Sequence, residues 1–97
     1  LTLIGRHEGV YLATAADLSP DGSRIAVSTY DALWIFDRPP DGDNWLAGTA
    51  WHLDLDRRVT KQLEAVTWDD AWTLRLVNEN RDVMLADVAA FTPVESR

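Results

Sequence analysis

Apolar residues fall along the chain in short groups of about five to seven, rich in Val, Ile, Thr, Trp and Tyr and separated by Gly, Pro and Asp, which is the spacing of strands and tight turns. Arg24-Ile25-Ala26-Val27-Ser28 alternates large apolar with small or polar side chains and predicts a strand. Leu33-Trp34-Ile35-Phe36 is continuously apolar, as expected of a strand covered on both faces. Ser19-Pro20-Asp21-Gly22 predicts a hairpin turn joining a strand at 14–18 to one at 24–29. Its Pro presets φ, its Asp bonds its own backbone and its Gly accepts a positive φ. Asp37–Asn44, with Pro39-Pro40 and Asp41-Gly42, reads as a loop, and a fourth strand follows at about Ala50–Leu55.

The same order then recurs. Ala16 returns as Ala65, Asp21 as Asp70, Ile25 as Leu74 and Val27 as Leu76, each 49 positions on. After one inserted residue the offset is 50, carrying Leu33 to Val83, Ile35 to Leu85 and Asp37 to Asp87. A repeat of this length with about four short strands per copy predicts two β-propeller blades, at about 13–55 and 62–87, with Leu1–Ile4 as one more strand. The turn of the second copy, Trp68-Asp69-Asp70-Ala71, lacks the Pro and Gly of the first. Two alternatives stay open. Asp82 can cap a short helix over Val83–Ala90, where the repeat calls for a strand to Asp87. Eight strands also fit a small sandwich or barrel in which the repeat is accidental.

Ser19 through Val27, followed by Leu33-Trp34-Ile35-Phe36-Asp37, resembles the blade motif of TolB-like and tryptophan-aspartate-type propeller repeats. In those repeats the turn joins the two inner strands and an apolar third strand ends in Asp. Thr14–Tyr30, together with Glu64-Ala65-Val66-Thr67-Trp68 and Val77-Asn78-Glu79-Asn80, is similar to the last blades of bacterial propeller proteins, esterase-like phytases among them. The likeness covers roughly residues 13 to 87 and implies an all-β segment of two four-stranded blades. Propellers close with about four to eight blades, so two imply a ring completed by the remaining blades of a longer chain or by self-association. Opening on Leu1 favours the longer chain, and the near-integral strand count favours self-association.

Charge and composition narrow the function. Sixteen acidic against nine basic residues leave a net charge of −7, and no basic run exceeds Arg57-Arg58, which disfavours nucleic acid and anionic membrane surfaces as partners. No uncharged stretch approaches the roughly 20 apolar residues of a spanning helix, so membrane insertion is not expected. The absence of cysteine excludes disulfides, thiolate chemistry and cysteine-held zinc. No glycine loop suits a phosphate, no serine sits in a Gly-x-Ser-x-Gly elbow, and His7 and His52 make no zinc motif. Asp37, Asp41, Asp43 and Asn44 are rich in oxygen, but without the terminal Glu of a calcium loop they read as a solvated turn.

The candidate residues come from the second copy and from the tryptophans. A hairpin turning at about 70–71 sets residues opposite when their numbers total roughly 141 to 143, which brings Glu64 beside Asn78 and Glu79. Arg81 follows on the next connection, and His7-Glu8 enters on the same face. Two carboxylates near an Arg and two Asn suit calcium or a cationic ligand; the plainer reading pairs Glu64 or Glu79 with Arg81 or leaves them solvated. Trp34 and Trp68 are expected in the core, and Trp45 and Trp72, at loop and turn positions, are expected as an exposed contact surface. The function expected is a non-enzymatic assembly or ligand-binding scaffold. The alternatives are part of a hydrolase-type propeller with a channel cation and an oligomeric two-blade lectin.

Overall fold

Strand-forming segments and turn signals give two antiparallel sheets in the computed structural model, which describes residues 13–42, 44–47 and 49–94. The first sheet is a meander of β1 (Ala15–Leu18), β2 (Arg24–Ser28), β3 (Ala32–Asp37) and β4 (Ala50–Asp54). Its outer edge takes β8 (Thr92–Pro93), where Pro93 is tolerated because an edge strand need not donate on both sides. The second sheet is β5 (Leu63–Asp70), β6 (Thr73–Asn78) and β7 (Val83–Asp87). One helical turn, α1 (Arg57–Thr60), links the sheets, and 3-10 turns lie at Trp45–Ala47 and Val88–Ala90. No helix among the described residues is long and apolar enough to cross a membrane.

The open reading at Val83–Ala90 resolves. Val83–Asp87 is a strand, and the helical tendency of the segment shows only in the Val88–Ala90 turn, capped by Asp87 rather than Asp82. The chain therefore follows the repeat, because pairing with β6 outweighs the modest helix propensity of a short segment. β8 and α1 carry no clear signal in the sequence, and the expected strand at Leu1–Ile4 lies outside the described residues.

The Ser19–Gly22 turn forms as its residues dictate. Gly22 sits at φ +74° and its N–H donates to the Ser19 carbonyl at 2.9 Å. The Asp21 carboxylate accepts from the Ser23 N–H at 2.9 Å, the Ser23 hydroxyl at 2.7 Å and the Ser19 hydroxyl at 2.8 Å. Those donors, led by the Ser23 N–H, hold the Asp21 carboxyl down from 3.8 to about 2. A depressed carboxyl stabilises the fold above its unfolded value, and that contribution is lost as the pH falls from 3.8 through about 2. Asp21→Asn is therefore expected to lower the urea midpoint near neutral pH, with the gap to the parent closing across that acid window. A gap that stays constant across it assigns the effect of the substitution to something other than the Asp21 charge.

The repeat offsets carry one ladder onto the other. In β2–β3, Arg24 faces Asp37, Ile25 faces Phe36, Val27 faces Trp34 and Ser28 faces Leu33. In β6–β7 the corresponding pairs are Thr73 with Asp87, Leu74 with Ala86, Leu76 with Met84 and Val77 with Val83. The inserted residue lies in the β6–β7 turn, where Glu79, Asn80 and Arg81 stand in place of Tyr30 and Asp31, and Arg81 closes the longer loop at φ +67°.

Alternation along these ladders decides which faces meet. The core between the sheets joins Ala26, Leu33 and Ile35 of the first to Val66, Trp68, Leu74, Leu76 and Ala86 of the second. Ile25, Val27, Trp34 and Phe36 point the other way, into a second cluster with Ala50, Leu46 and Val94. Since Ile25 and Val27 correspond to Leu74 and Leu76, the sheets meet through non-equivalent faces, head to tail. Two sheets packed about a two-fold axis would bring equivalent faces together.

Candidate functional site

β1 and β5 run side by side across the gap between the sheets. Near their far ends the Trp68 N–H donates to the Asp17 carboxylate at 2.9 Å and the indole Nε1 donates to the Asp17 carbonyl at 3.0 Å. Near their beginnings the strands part around a cleft of about 380 Å³ lined by Ala13, Thr14, Tyr30, Gln62, Leu63 and Glu64.

Glu64 reaches the cleft through an irregularity in the ladder. Leu63 faces Asn78 and Ala65 faces Val77, so Glu64 is the extra residue of a bulge and its side chain is exposed. A bulge of this kind re-aims one side chain away from the alternation of its strand. Tyr30 and Gln62 form the adjoining wall, with Gln62 Nε2 donating to the Tyr30 hydroxyl at 3.0 Å. The Arg57 guanidinium lies 5.5 Å from the centre of the Tyr30 ring, and its Nε is 3.7 Å from Asp31. Below them the hydroxyls of Thr14 and Ser28 bond at 2.8 Å. The Glu79 N–H donates to the Gln62 carbonyl at 2.9 Å, tying the β6–β7 turn to the same end of the sheets.

Backbone conformation marks this end as well. Asp56 caps α1 by accepting from the Arg58 N–H at 2.9 Å, and hydrogen bonds from the Arg58 side chain, with that N–H, hold its carboxyl below the usual carboxylate range. The turn closes at Lys61, which adopts φ +57° and ψ −149°, a region that glycine occupies freely and residues with a Cβ do not. Lys61→Gly is expected to raise stability by about 1 kcal/mol, the relief of strain exceeding the added freedom of the unfolded chain. A lower melting temperature in that variant removes strain at Lys61 as the explanation.

The residues singled out in the sequence divide between the two ends of the sheets. Glu64, Glu79 and Arg81 share the end with the cleft, but no ion pair joins either carboxylate to Arg81 among the described residues. Nor do three His, Cys, Asp or Glu side chains gather in a metal-holding arrangement among them. Asp37 is turned to Arg24 at 3.4 Å, while His7, Glu8 and Asp43 lie outside the described residues. Trp45 and Trp72 sit at the opposite end. Trp72 is 66% exposed in the β5–β6 turn, whereas Trp45 is half-buried with the Arg38 guanidinium 5.6 Å from its ring centre. Arg38 also donates to the Gly22 carbonyl at 3.1 Å, so Trp45 braces the first hairpin. Trp34 and Trp68 are buried, as expected.

Gln62 belongs to no motif that the sequence displays, and Tyr30 enters only as the last residue of the Thr14–Tyr30 stretch. The offset of 49 carries a signal for the tyrosine, since it maps Tyr30 onto Glu79 and so places both at the same turn of their repeats. Chemically the cleft offers the Glu64 carboxylate and the Gln62 carbonyl oxygen as acceptors and the Tyr30 hydroxyl as a donor. Together these groups suit holding a polar ligand. Compared with protein families, curated proteins and solved structures, the chain matches none.

Proposed function

We propose that the chain is a non-enzymatic assembly scaffold, two blades of a propeller-type stack that presents an open sheet face to a further β-sheet. The observation that carries this is the head-to-tail meeting of repeat-equivalent sheets, the relation that successive sheets of a continuing stack would have. The Ser19–Gly22 turn and the third strand ending in Asp support the same reading.

The two ends of the stack differ. On the first sheet the Ile25, Val27, Trp34 and Phe36 face is largely buried, with the Trp34 and Phe36 rings stacked at 6.0 Å. On the second sheet the outward side of β7 leaves Val83 and Leu85 60% and 63% exposed. Between them and β5 lies an ion pair, Arg75 to Asp69 at 2.7 Å, so the face is apolar at the β7 side and charged toward the middle. The apolar surface of β7 is therefore the one offered to a further sheet on the second sheet's side. Light scattering over rising concentration should show the mass climbing above the 10.9 kDa of one chain. Leu85→Lys should hold it at that mass without lowering the melting temperature. A parent chain that stays at one-chain mass throughout overturns the assembly reading.

A further inference from the structure

β7 pairs with β6 on one side only, and no strand among the described residues takes its other edge. Such an edge presents a row of unpaired N–H and C=O groups to any extended chain. The first sheet shows how the equivalent edge is filled. β3, whose ladder to β2 matches that of β7 to β6, carries β4 antiparallel, with Trp51 opposite Ile35, His52 opposite Trp34 and Leu53 opposite Leu33. Moving that register 50 positions along sets one apolar residue opposite Leu85 and a second, two positions later, opposite Val83. Those are the two apolar side chains that β7 leaves exposed.

Charge narrows the occupant further. Exposed carboxylates bracket the strand, Asp82 before it and Asp87 at its end, on a chain of net charge −7. Of the cations nearest the strand, Arg75 is already paired with Asp69, and Arg81 precedes Asp82 and offsets part of the charge at that end. We infer that the free edge of β7 is a docking site for an extended partner strand that runs antiparallel to it, carries apolar side chains at i and i+2, and has basic residues on its flanks. The inference goes beyond stacking on the sheet face, because the contact it describes is made by the backbone edge.

The probe is a synthetic peptide, Lys-Lys-Ala-Trp-His-Leu-Thr-Lys-Lys, that reproduces the alternation of β4 between basic flanks. Added to the isotopically labelled 97-residue chain, it should shift the amide resonances of residues 83–87 and slow hydrogen exchange on the outward edge of β7. Antiparallel pairing uses alternate amides, so methylating one alternate set of peptide nitrogens should weaken binding about tenfold or more while methylating the other set leaves it intact. Val83→Lys, which removes one apolar contact and repels the basic flank, should weaken binding by a similar factor, and raising the salt should weaken it in the parent. Shifts centred outside β7, no shifts at millimolar peptide, or equal binding by both methylated peptides overturns the inference. A one-chain-mass protein that binds the peptide in this pattern keeps the edge site and loses the stack. A protein that assembles but ignores the peptide does the reverse.

Discussion

Trp68→Ala is expected to destabilise the chain by about 3–5 kcal/mol, read as a fall in the urea midpoint at unchanged slope. Trp68 is 6% exposed and packs in the core between the sheets, so truncation removes a large apolar area and leaves a cavity that rigid strands cannot collapse into. The indole also fastens one sheet to the other, because its Nε1 donates to the Asp17 carbonyl, beside the Trp68 backbone N–H that reaches the Asp17 carboxylate. A domain of this length holds only about 5–15 kcal/mol in total, so the loss amounts to a large fraction of the whole. Trp68→Phe separates the two contributions. It keeps most of the packing and removes the indole bond, and its effect should be about 1–2 kcal/mol. If Trp68→Ala costs no more than Trp68→Phe, the sheets do not depend on this side chain and the inter-sheet core is misassigned.

The core position of Trp68 is legible in the sequence, and the reason is physical. Strand alternation sets Val66, Trp68, Leu74 and Leu76 on one apolar face of the second hairpin, and that face is the one buried between the sheets. The pairing of the second hairpin is legible for the same reason. Leu63 opposite Asn78, Val66 opposite Leu76 and Asp70 opposite Thr73 accord with a turn near residue 71. Glu64 and Asp69 are harder to place. Each falls at a shift of register, and a bulge exchanges the faces of the residues around it without leaving a mark in local composition. The head-to-tail relation of the sheets is also hidden, since offsets show that two segments are equivalent but not which of their faces meet. Tyr30 and Gln62 become neighbours only because the α1 connection returns the chain to the β2–β3 turn. Trp45, expected to be exposed, is half-buried, and its partner Arg38 is polar and gives no apolar signal of the contact.

Asn78 reads in the sequence as a polar neighbour of Glu64, and the structure gives it a different task, on which the second large effect rests. Its side chain is 1% exposed. Oδ1 accepts the N–H groups of Asn80 and Asp82 at 2.9 and 3.0 Å, while Nδ2 donates to the Asp82 carboxylate at 3.1 Å. Thr29 does the same for the shorter β2–β3 turn, its hydroxyl accepting from Asp31 and Ala32 at 3.3 and 3.1 Å, and the offset of 49 carries Thr29 onto Asn78. The inserted residue in the later turn moves the N–H groups farther from the strand, and the longer asparagine side chain spans the difference. Asn78→Ala is therefore expected to cost about 2–3 kcal/mol, because it strands backbone donors in a site shaped to satisfy them. Asn78→Thr should recover little of that, since a threonine hydroxyl suits the four-residue turn and not the five-residue one. Asn78→Asp keeps the acceptor but replaces the donor to Asp82 with a second carboxylate, so it too should lower the urea midpoint. Urea midpoints for the three variants decide the matter. A threonine variant as stable as the parent would show that hydroxyl and amide are interchangeable here, and that the inserted residue, not the side chain beneath it, sets the shape of the turn.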